Sequence, residues 1–246
     1  MKKFFIALQF LTIIPVHISG KIDERDLGRS LLYFPVVGFL LGTFLASAAF
    51  TLIPLPSLVR SVLILILWII ITGAIHLDGL ADTCDGFYGG RTREETLRIM
   101  RDSRIGTMGV VGIAVVLLAK FTLIASLSAP YLWKTLIMAA TFSRWSQALS
   151  CLISGYARHE GKAKLFIAYA QRNDIILGGL FTLALFMLFS GLKGVLLFVI
   201  ALLAGLLFVR YAKIKIGGMT GDVIGALNEA TETIVLFSAP IIFGYV

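Results

Sequence analysis

Residues 58–86 read LVRSVLILILWIIITGAIHLDGLADTCDG, and this stretch decides the fold. Its first 18 residues hold one charged side chain, Arg60, and show no alternation of polar and apolar residues. A helix that crosses a bilayer needs about 20 mostly apolar residues, whereas a membrane β-strand alternates in polarity. The stretch therefore predicts a membrane-spanning helix that leads directly into a cluster of three aspartates.

The rest of the chain has the same character. Its 246 residues are 58% hydrophobic and 15% charged, with a mean hydropathy of +0.93. A soluble domain is about 25% charged, so the composition excludes a soluble enzyme, a disordered protein and a disulfide-rich secreted domain. We predict an all-α, polytopic integral membrane bundle, with residues 1–246 as a single membrane-embedded domain. Apolar runs mark about seven spans, at residues 31–53, 58–75, 107–128, 131–154, 175–191, 194–209 and 233–246.

The basic residues predict the orientation of the bundle. Seven spans with a cytoplasmic N-terminus place 17 of the 22 lysines and arginines in four cytoplasmic segments, at residues 1–30, 76–106, 155–174 and 210–232. Cytoplasmic loops of membrane proteins are enriched in these residues. We therefore attribute the net charge of +8 to orientation and expect no nucleic acid partner. Residues 1–30 begin with a short apolar segment that lacks a signal-peptide cleavage pattern, so we expect it to be retained.

Two basic residues lie inside predicted spans. A buried arginine is costly in a bilayer and usually faces an interior cavity or a carboxylate, which we expect for Arg144. We expect Lys120 to extend toward the far membrane interface, as long basic side chains near helix ends do.

The aspartates that follow the 58–75 span have the spacing of one helix face. Asp78, Asp82 and Asp85 stand at i, i+4 and i+7, which places them within about 60° around a helix. Carboxylates this close repel each other unless a cation lies between them. Oxygen ligands select hard metal ions, so we predict a Mg²⁺ site. His76 is more typical of a helix end than of a metal ligand.

A second polar stretch, Arg101-Asp102-Ser103-Arg104, leads into the next span. Arg101 and Arg104 can share a helix face, and the planar guanidinium suits a phosphate group. We predict that these arginines and Ser103 bind a substrate phosphate. We interpret Arg91 and Arg93 as markers of the cytoplasmic side.

The third polar stretch is a glycine-rich turn, residues 217–222, followed by a row of carboxylates. Asp222, Glu229 and Glu232 fall within about 80° of one helix face. Metal-binding carboxylates and arginines on one membrane face indicate Mg²⁺-dependent transfer of a phosphate-linked group. Secondary site candidates are Asp222, Asn228, Glu232, Arg144 and Arg158.

Three segments resemble the cobalamin synthase family: residues 79–86, 99–106 and 221–229. The same family is resembled by Gln9-Phe10-Leu11-Thr12 with Pro15, and by the later Ser143-Arg144-Trp145 and Tyr156-Ala157-Arg158. The usual family motif has alanine where this chain has Cys84. The resemblance implies a multi-pass enzyme of the bacterial or archaeal inner membrane, with its active site facing the cytoplasm.

The resemblance also implies a reaction. A hydroxyl of α-ribazole, or of its 5′-phosphate, attacks adenosylcobinamide-GDP; adenosylcobalamin or its 5′-phosphate forms and GMP leaves. Mg²⁺ on Asp78, Asp82 and Asp85 would neutralise the diphosphate. The catalytic base would be Asp82, with Asp102 and Glu229 as alternatives.

Two other functions remain open at this point. A CDP-alcohol phosphotransferase performs similar chemistry, but its motif has arginine where this chain has Asp82, and its later pair of aspartates has no match here. A divalent cation carrier would use the carboxylates as transport ligands. Carriers place ionisable groups near the middle of their spans, whereas here most follow the predicted cytoplasmic ends.

Overall fold

The computed structural model describes residues 1–18, 20–161 and 163–244. The predicted 155–174 loop therefore includes one residue outside the described part, Lys162, and the predicted 233–246 span extends two residues beyond it. The described residues are mostly helical, and their only β-pairing is an isolated bridge between Tyr156 and Met219. The helices are α1 (Lys2–Leu11), α2 (Glu24–Ser30), a 3-10 turn (Leu31–Tyr33), α3 (Phe34–Thr51), α4 (Ser57–Thr72), α5 (Ile75–Gly89), α6 (Arg93–Ile99), α7 (Thr107–Ser126), α8 (Ala129–Ile153), α9 (Lys164–Ala168), α10 (Arg172–Ile216) and α11 (Gly221–Phe243).

The all-α membrane architecture is confirmed, whereas the number of seven spans stays a prediction. By length and composition, four helical stretches of the described chain can cross a bilayer, and a fifth if α4 and α5 count as one bent span. The predicted 131–154 span corresponds to α8, which is absent from those stretches because it carries many polar side chains.

The two predicted spans at 175–191 and 194–209 lie in α10, which Gly191 interrupts with φ 55° and ψ −136°. In a straight helix, 12 residues separate Phe186 from Phe198 by about 18 Å. Their ring centroids are 5.7 Å apart. The chain therefore reverses at Gly191, and the two halves of α10 pack against each other.

Helix α8 forms the centre of the bundle, with 17 of its 25 residues buried. Helix α3 lies directly against it because Gly38 and Gly42 present no side chain. A Cβ atom on Gly38 would lie 2.3 Å from the Ala140 carbonyl oxygen, and one on Gly42 would lie 2.6 Å from the Ile137 Cα. Small residues four apart permit this close approach between membrane helices.

A sharp bend between α4 and α5 positions the aspartate cluster. Gly73 and Ala74 both adopt left-handed backbone conformations, with φ values of 59° and 55°. These two residues turn the chain by 89°. Helix α5 therefore leaves the direction of α4 and packs against α7 and α11.

Candidate active site

Three of the four predicted cytoplasmic segments, 76–106, 155–174 and 210–232, meet at one end of the bundle. Arg93 Nε donates to the Ile216 carbonyl at 2.9 Å, and Arg93 Nη2 donates to the Ala157 carbonyl at 2.8 Å. Lys215 Nζ adds a contact of 3.0 Å to the Gly90 carbonyl. Residues from the 76–106, 155–174 and 210–232 loops are thus tied together. Arg93, interpreted above as a marker of membrane orientation, holds this end of the molecule.

Carboxylates collect where α5 crosses the start of α11. The helices approach so closely that a Cβ atom on Gly79 would lie 2.6 Å from the Asp222 carbonyl oxygen. Asp78 and Asp222 both lie within electrostatic reach of the half-buried Asp82. Arg158 forms an ion pair with Asp222 at 2.8 Å, between Nη1 and Oδ2. Asp222 and Arg158, secondary candidates by sequence, therefore join the aspartate cluster.

Asp85 binds the start of α7. Its carboxylate accepts hydrogen bonds from the backbone N–H groups of Gly106, at 2.7 Å, and Gly109, at 2.8 Å. A carboxylate at a helix N-terminus satisfies N–H groups that lack partners within the helix. The absence of a side chain on both glycines permits this contact, since a Cβ atom on either would lie within 2.5 Å of an Asp85 oxygen. Asp85 thus fixes the direction in which the 101–106 segment enters α7.

The candidate metal ligands differ in whether their carboxylate oxygens already have hydrogen-bond partners. Among the described residues, no group of three or more His, Cys, Asp or Glu side chains lies close enough to hold a metal ion by itself. Mg²⁺ commonly uses only one or two carboxylates, together with water and substrate phosphates. Asp78, Asp82 and Asp222 supply oxygen donors of this kind. Their chemistry fits Mg²⁺, while both oxygens of Asp85 already have backbone partners.

An arginine-lined cleft lies at the end of α5, where Asp85 forms part of its wall. It has a volume of about 680 Å³, and Arg98, Arg101 and Arg104 line it together with Tyr88 and Asp102. The two predicted phosphate-binding arginines thus share one open cleft. Ser103, between them in sequence, is exposed.

Arg104 contacts Asp102 in this structure. Its Nη2 lies 2.9 Å from Asp102 Oδ2, and its Nε lies 3.1 Å from Oδ1. These side-chain hydrogen bonds, with one from the Arg104 backbone, lower the pKa of Asp102 to about 2. A general base works best with a pKa near the operating pH. Asp102 is therefore a poor proton acceptor in this arrangement.

A buried network of charges lies deeper in the bundle. Glu232 is fully buried and contacts both Lys120 Nζ and Arg144 Nη1. Lys120 Nζ also binds Glu229 Oε2 at 2.6 Å. Asn228 Nδ2 donates to Glu232 Oε1 at 3.0 Å. The expected carboxylate partner of Arg144 is confirmed, whereas the expected extension of Lys120 to the membrane interface is wrong.

Four residues that the sequence suggests as site candidates belong to this network: Glu229, Glu232, Asn228 and Arg144. All four are buried and hydrogen-bonded within this network, although Arg144 Nε and Nη2 lack a partner among the described residues. Asp78, Asp82 and Asp222, in contrast, are exposed or partly exposed. Glu229 therefore lies outside the group of carboxylates that solvent reaches. Sequence reasoning missed Lys120 as its partner, since the two residues are 109 positions apart.

These observations define the class of protein: a polytopic helical membrane protein with carboxylates and arginines gathered at one end of its bundle. The family model described as cobalamin-5-phosphate synthase matches residues 3–239. The chain belongs to that family.

Named relatives match over nearly their whole length. The chain is 38% identical over 245 residues to the adenosylcobinamide-GDP ribazoletransferase of Geotalea daltonii, covering 99% of each chain. It is 38% identical over 239 residues to that of Pseudomonas aeruginosa, covering 96% of each. It is 32% identical over 239 residues to that of Clostridium acetobutylicum, covering 96% of this chain and 95% of the relative. No solved structure matches.

Proposed function

We propose that this chain joins adenosylcobinamide-GDP to α-ribazole, or to its 5′-phosphate, and releases GMP. The observation that carries the proposal is the full-length similarity to relatives named for this transfer. The chain also has the groups that such chemistry requires: carboxylates at the α5–α11 crossing and a cleft with three arginines beside them. The active site would face the cytoplasm of a bacterial or archaeal cell, by the distribution of basic residues.

The reaction exchanges a phosphoanhydride bond for a phosphate ester bond. A hydroxyl oxygen of ribazole forms a bond to the phosphorus that stays with cobinamide, and the diphosphate linkage to GMP breaks. The bridging oxygen leaves with GMP, and the attacking hydroxyl loses its proton. Asp82, half-buried and within electrostatic reach of Asp78 and Asp222, is our candidate for accepting that proton.

Mg²⁺ is part of this proposal. Asp78 and Asp222 would hold the ion by their oxygen chemistry, with Asp82 within electrostatic reach of both. When bound, Mg²⁺ neutralises charge on the diphosphate. Asp85 would contribute indirectly, since it binds the backbone where the arginine segment enters α7.

The arginines would bind the diphosphate in the cleft. Arg101 and Arg104 lie in the same cleft, and Arg104 has 87% of its side chain exposed. A bound phosphate offers Arg104 the same bidentate contact that Asp102 supplies in this structure. Substrate binding would therefore exchange one anionic partner of Arg104 for another, with little change in backbone position.

The two alternatives considered above lose support. Family membership argues against a CDP-alcohol phosphotransferase. A cation carrier needs carboxylates that are free to bind cargo. In the middle of the bundle, Glu229 and Glu232 already bind Lys120 and Arg144.

The test uses the full-length protein in membranes or detergent. We expect GMP release only when adenosylcobinamide-GDP, a ribazole and Mg²⁺ are all present. Comparing α-ribazole with its 5′-phosphate identifies the preferred acceptor, and adding a chelator tests the role of Mg²⁺. Absence of GMP with either acceptor, from protein that unfolds cooperatively, would overturn the proposal.

A further inference from the structure

A small cavity lies at the start of α5, whereas the arginine cleft lies at the end of that helix. It has a volume of about 40 Å³, and its walls come from α1, α5, α8, α9, α11 and Phe34 at the start of α3. Three aromatic side chains, Phe10, Phe34 and Phe166, form an apolar wall, with Phe166 centroids 4.6 Å and 5.8 Å from those of Phe10 and Phe34. The other side includes His76 and Gln147, both buried. The cavity is thus apolar, with one polar corner.

Hydrogen bonds from the buried charge network fix which way the side-chain amide of Gln147 points in this polar corner. A carboxylate only accepts, so the contact to Glu232 requires Asn228 to present its NH₂ group. The Asn228 carbonyl oxygen then faces Gln147, whose Nε2 donates to it at 2.8 Å. The amide orientation of Gln147 is therefore set by charged residues that do not border the cavity.

The same chain of contacts determines the proton position on His76. Gln147 Nε2 lies 3.4 Å from His76 Nε2. An amide nitrogen can only donate, so His76 Nε2 accepts and the neutral ring carries its proton on Nδ1. The His76 ring makes no other hydrogen bond within the described residues, and His76 lines the cavity. The Nδ1–H group is therefore available to a molecule that enters the cavity.

The cavity also borders the start of α11, beside one of the candidate carboxylates. Gly221 lines it and directly precedes Asp222. Gly225 keeps α11 close to α5, since a Cβ atom there would lie 3.3 Å from the His76 Cα. A molecule inserted into the cavity would extend its remaining part toward the start of α11, where Asp222 lies.

We propose that this cavity receives the edge of the flat nitrogen heterocycle of the ribazole acceptor, with Phe166 as an aromatic contact and His76 as the hydrogen-bond donor. This inference rests on the proposed function. A benzimidazole-type base linked to ribose has an apolar rim and one ring nitrogen with a free lone pair, which match an aromatic wall and a single N–H group. About 10–15 Å³ holds one water, so the space accepts a ring edge while the ribose stays outside, near Asp222.

The first test changes the aromatic wall. Phe166→Leu keeps an apolar side chain but removes the ring, and Phe189→Leu is the matched control because Phe189 contacts Trp133 away from the cavity. Binding of α-ribazole is measured directly by equilibrium dialysis, and KM for each substrate is measured by GMP release. We expect Phe166→Leu to weaken α-ribazole binding about three- to tenfold, as loss of an aromatic contact does. KM for adenosylcobinamide-GDP should not change.

The second test changes the ligand and leaves the protein intact. An indole riboside has the shape of the benzimidazole riboside but a C–H group in place of the free ring nitrogen. We expect wild-type protein to bind it about three- to tenfold more weakly, as loss of one neutral hydrogen bond predicts. His76→Phe should bind both ribosides equally.

The outcomes separate this inference from the proposed function. If wild-type protein releases GMP but Phe166→Leu matches Phe189→Leu and the two ribosides bind equally, the cavity takes only water or lipid and the inference is overturned. If no GMP forms while α-ribazole binding still depends on Phe166 and the ring nitrogen, the binding site stands and the proposed reaction fails.

Discussion

Replacing Glu232 by glutamine should strongly destabilise the protein. The fully buried carboxylate accepts from Lys120, Arg144, Asn228 and Ser143. Lys120 and Arg144 balance Glu229 and Glu232 in formal charge, so Glu232→Gln leaves one uncompensated buried positive charge. The new amide also cannot accept at both positions. If its oxygen faces Arg144, its NH₂ group faces the Lys120 ammonium.

The expected loss is about 3–5 kcal/mol, the usual effect of breaking a buried ion pair. For a chain of this size it corresponds to a melting temperature about 10 °C lower. Thermal unfolding in detergent, followed by tryptophan fluorescence, measures the change. Glu160→Gln is the control, because Glu160 is exposed and its substitution should change stability by less than about 0.5 kcal/mol.

A second substitution tests whether the loss of charge balance causes the destabilisation. Lys120→Met added to Glu232→Gln restores neutrality, with Arg144 and Glu229 as the remaining charges. The double variant should recover part of the stability, because contacting charges are not additive. A Glu232→Gln protein as stable as wild type, or a double variant that loses the sum of both single effects, would refute the charge-balance account.

Three further substitutions test the proposed active site. Asp82→Asn should lower turnover at least about a hundredfold at an unchanged melting temperature, as loss of a key electrostatic group does; near-normal GMP release would remove Asp82 from its role. Arg104→Lys should weaken adenosylcobinamide-GDP binding about ten- to a hundredfold through loss of the bidentate fork, while Arg91→Lys, on the exposed part of the same loop, should match wild type. Arg93→Lys should increase protease cleavage near residue 157, because lysine cannot reach both carbonyl groups that Arg93 binds; an unchanged cleavage rate would contradict its role in tying the loops.

The large-scale organisation could be read from the sequence because it depends on composition and local spacing. Lipid excludes charge, so apolar runs locate the membrane helices and polar residues mark the ends. The i, i+4 spacing of Asp78 and Asp82 likewise depends only on helix geometry. Their placement together on α5 required no knowledge of long-range contacts.

Composition and local spacing could not predict which groups bind the individual charged side chains. Asp85 has the same helical spacing as Asp78 and Asp82, yet it binds backbone groups 21 and 24 residues away. That contact depends on the angle at which α7 packs against α5. The sequence predicts that Lys120 extends toward the membrane interface. Its carboxylate partners follow only from the packing of α7 against α11.

The carboxylates of α11 have different surroundings at the start of the helix and deeper in the bundle. Asp222, in its first turn, is partly exposed and joins the carboxylates that substrate can reach. Glu229 and Glu232, two and three turns deeper, neutralise Lys120 and Arg144 and, through Asn228 and Gln147, orient His76. One helix thus carries both a proposed Mg²⁺-binding carboxylate, Asp222, and the network that orients His76, the proposed hydrogen-bond donor to the acceptor. A change at Glu232 should therefore alter acceptor binding through His76 even though Glu232 touches no substrate.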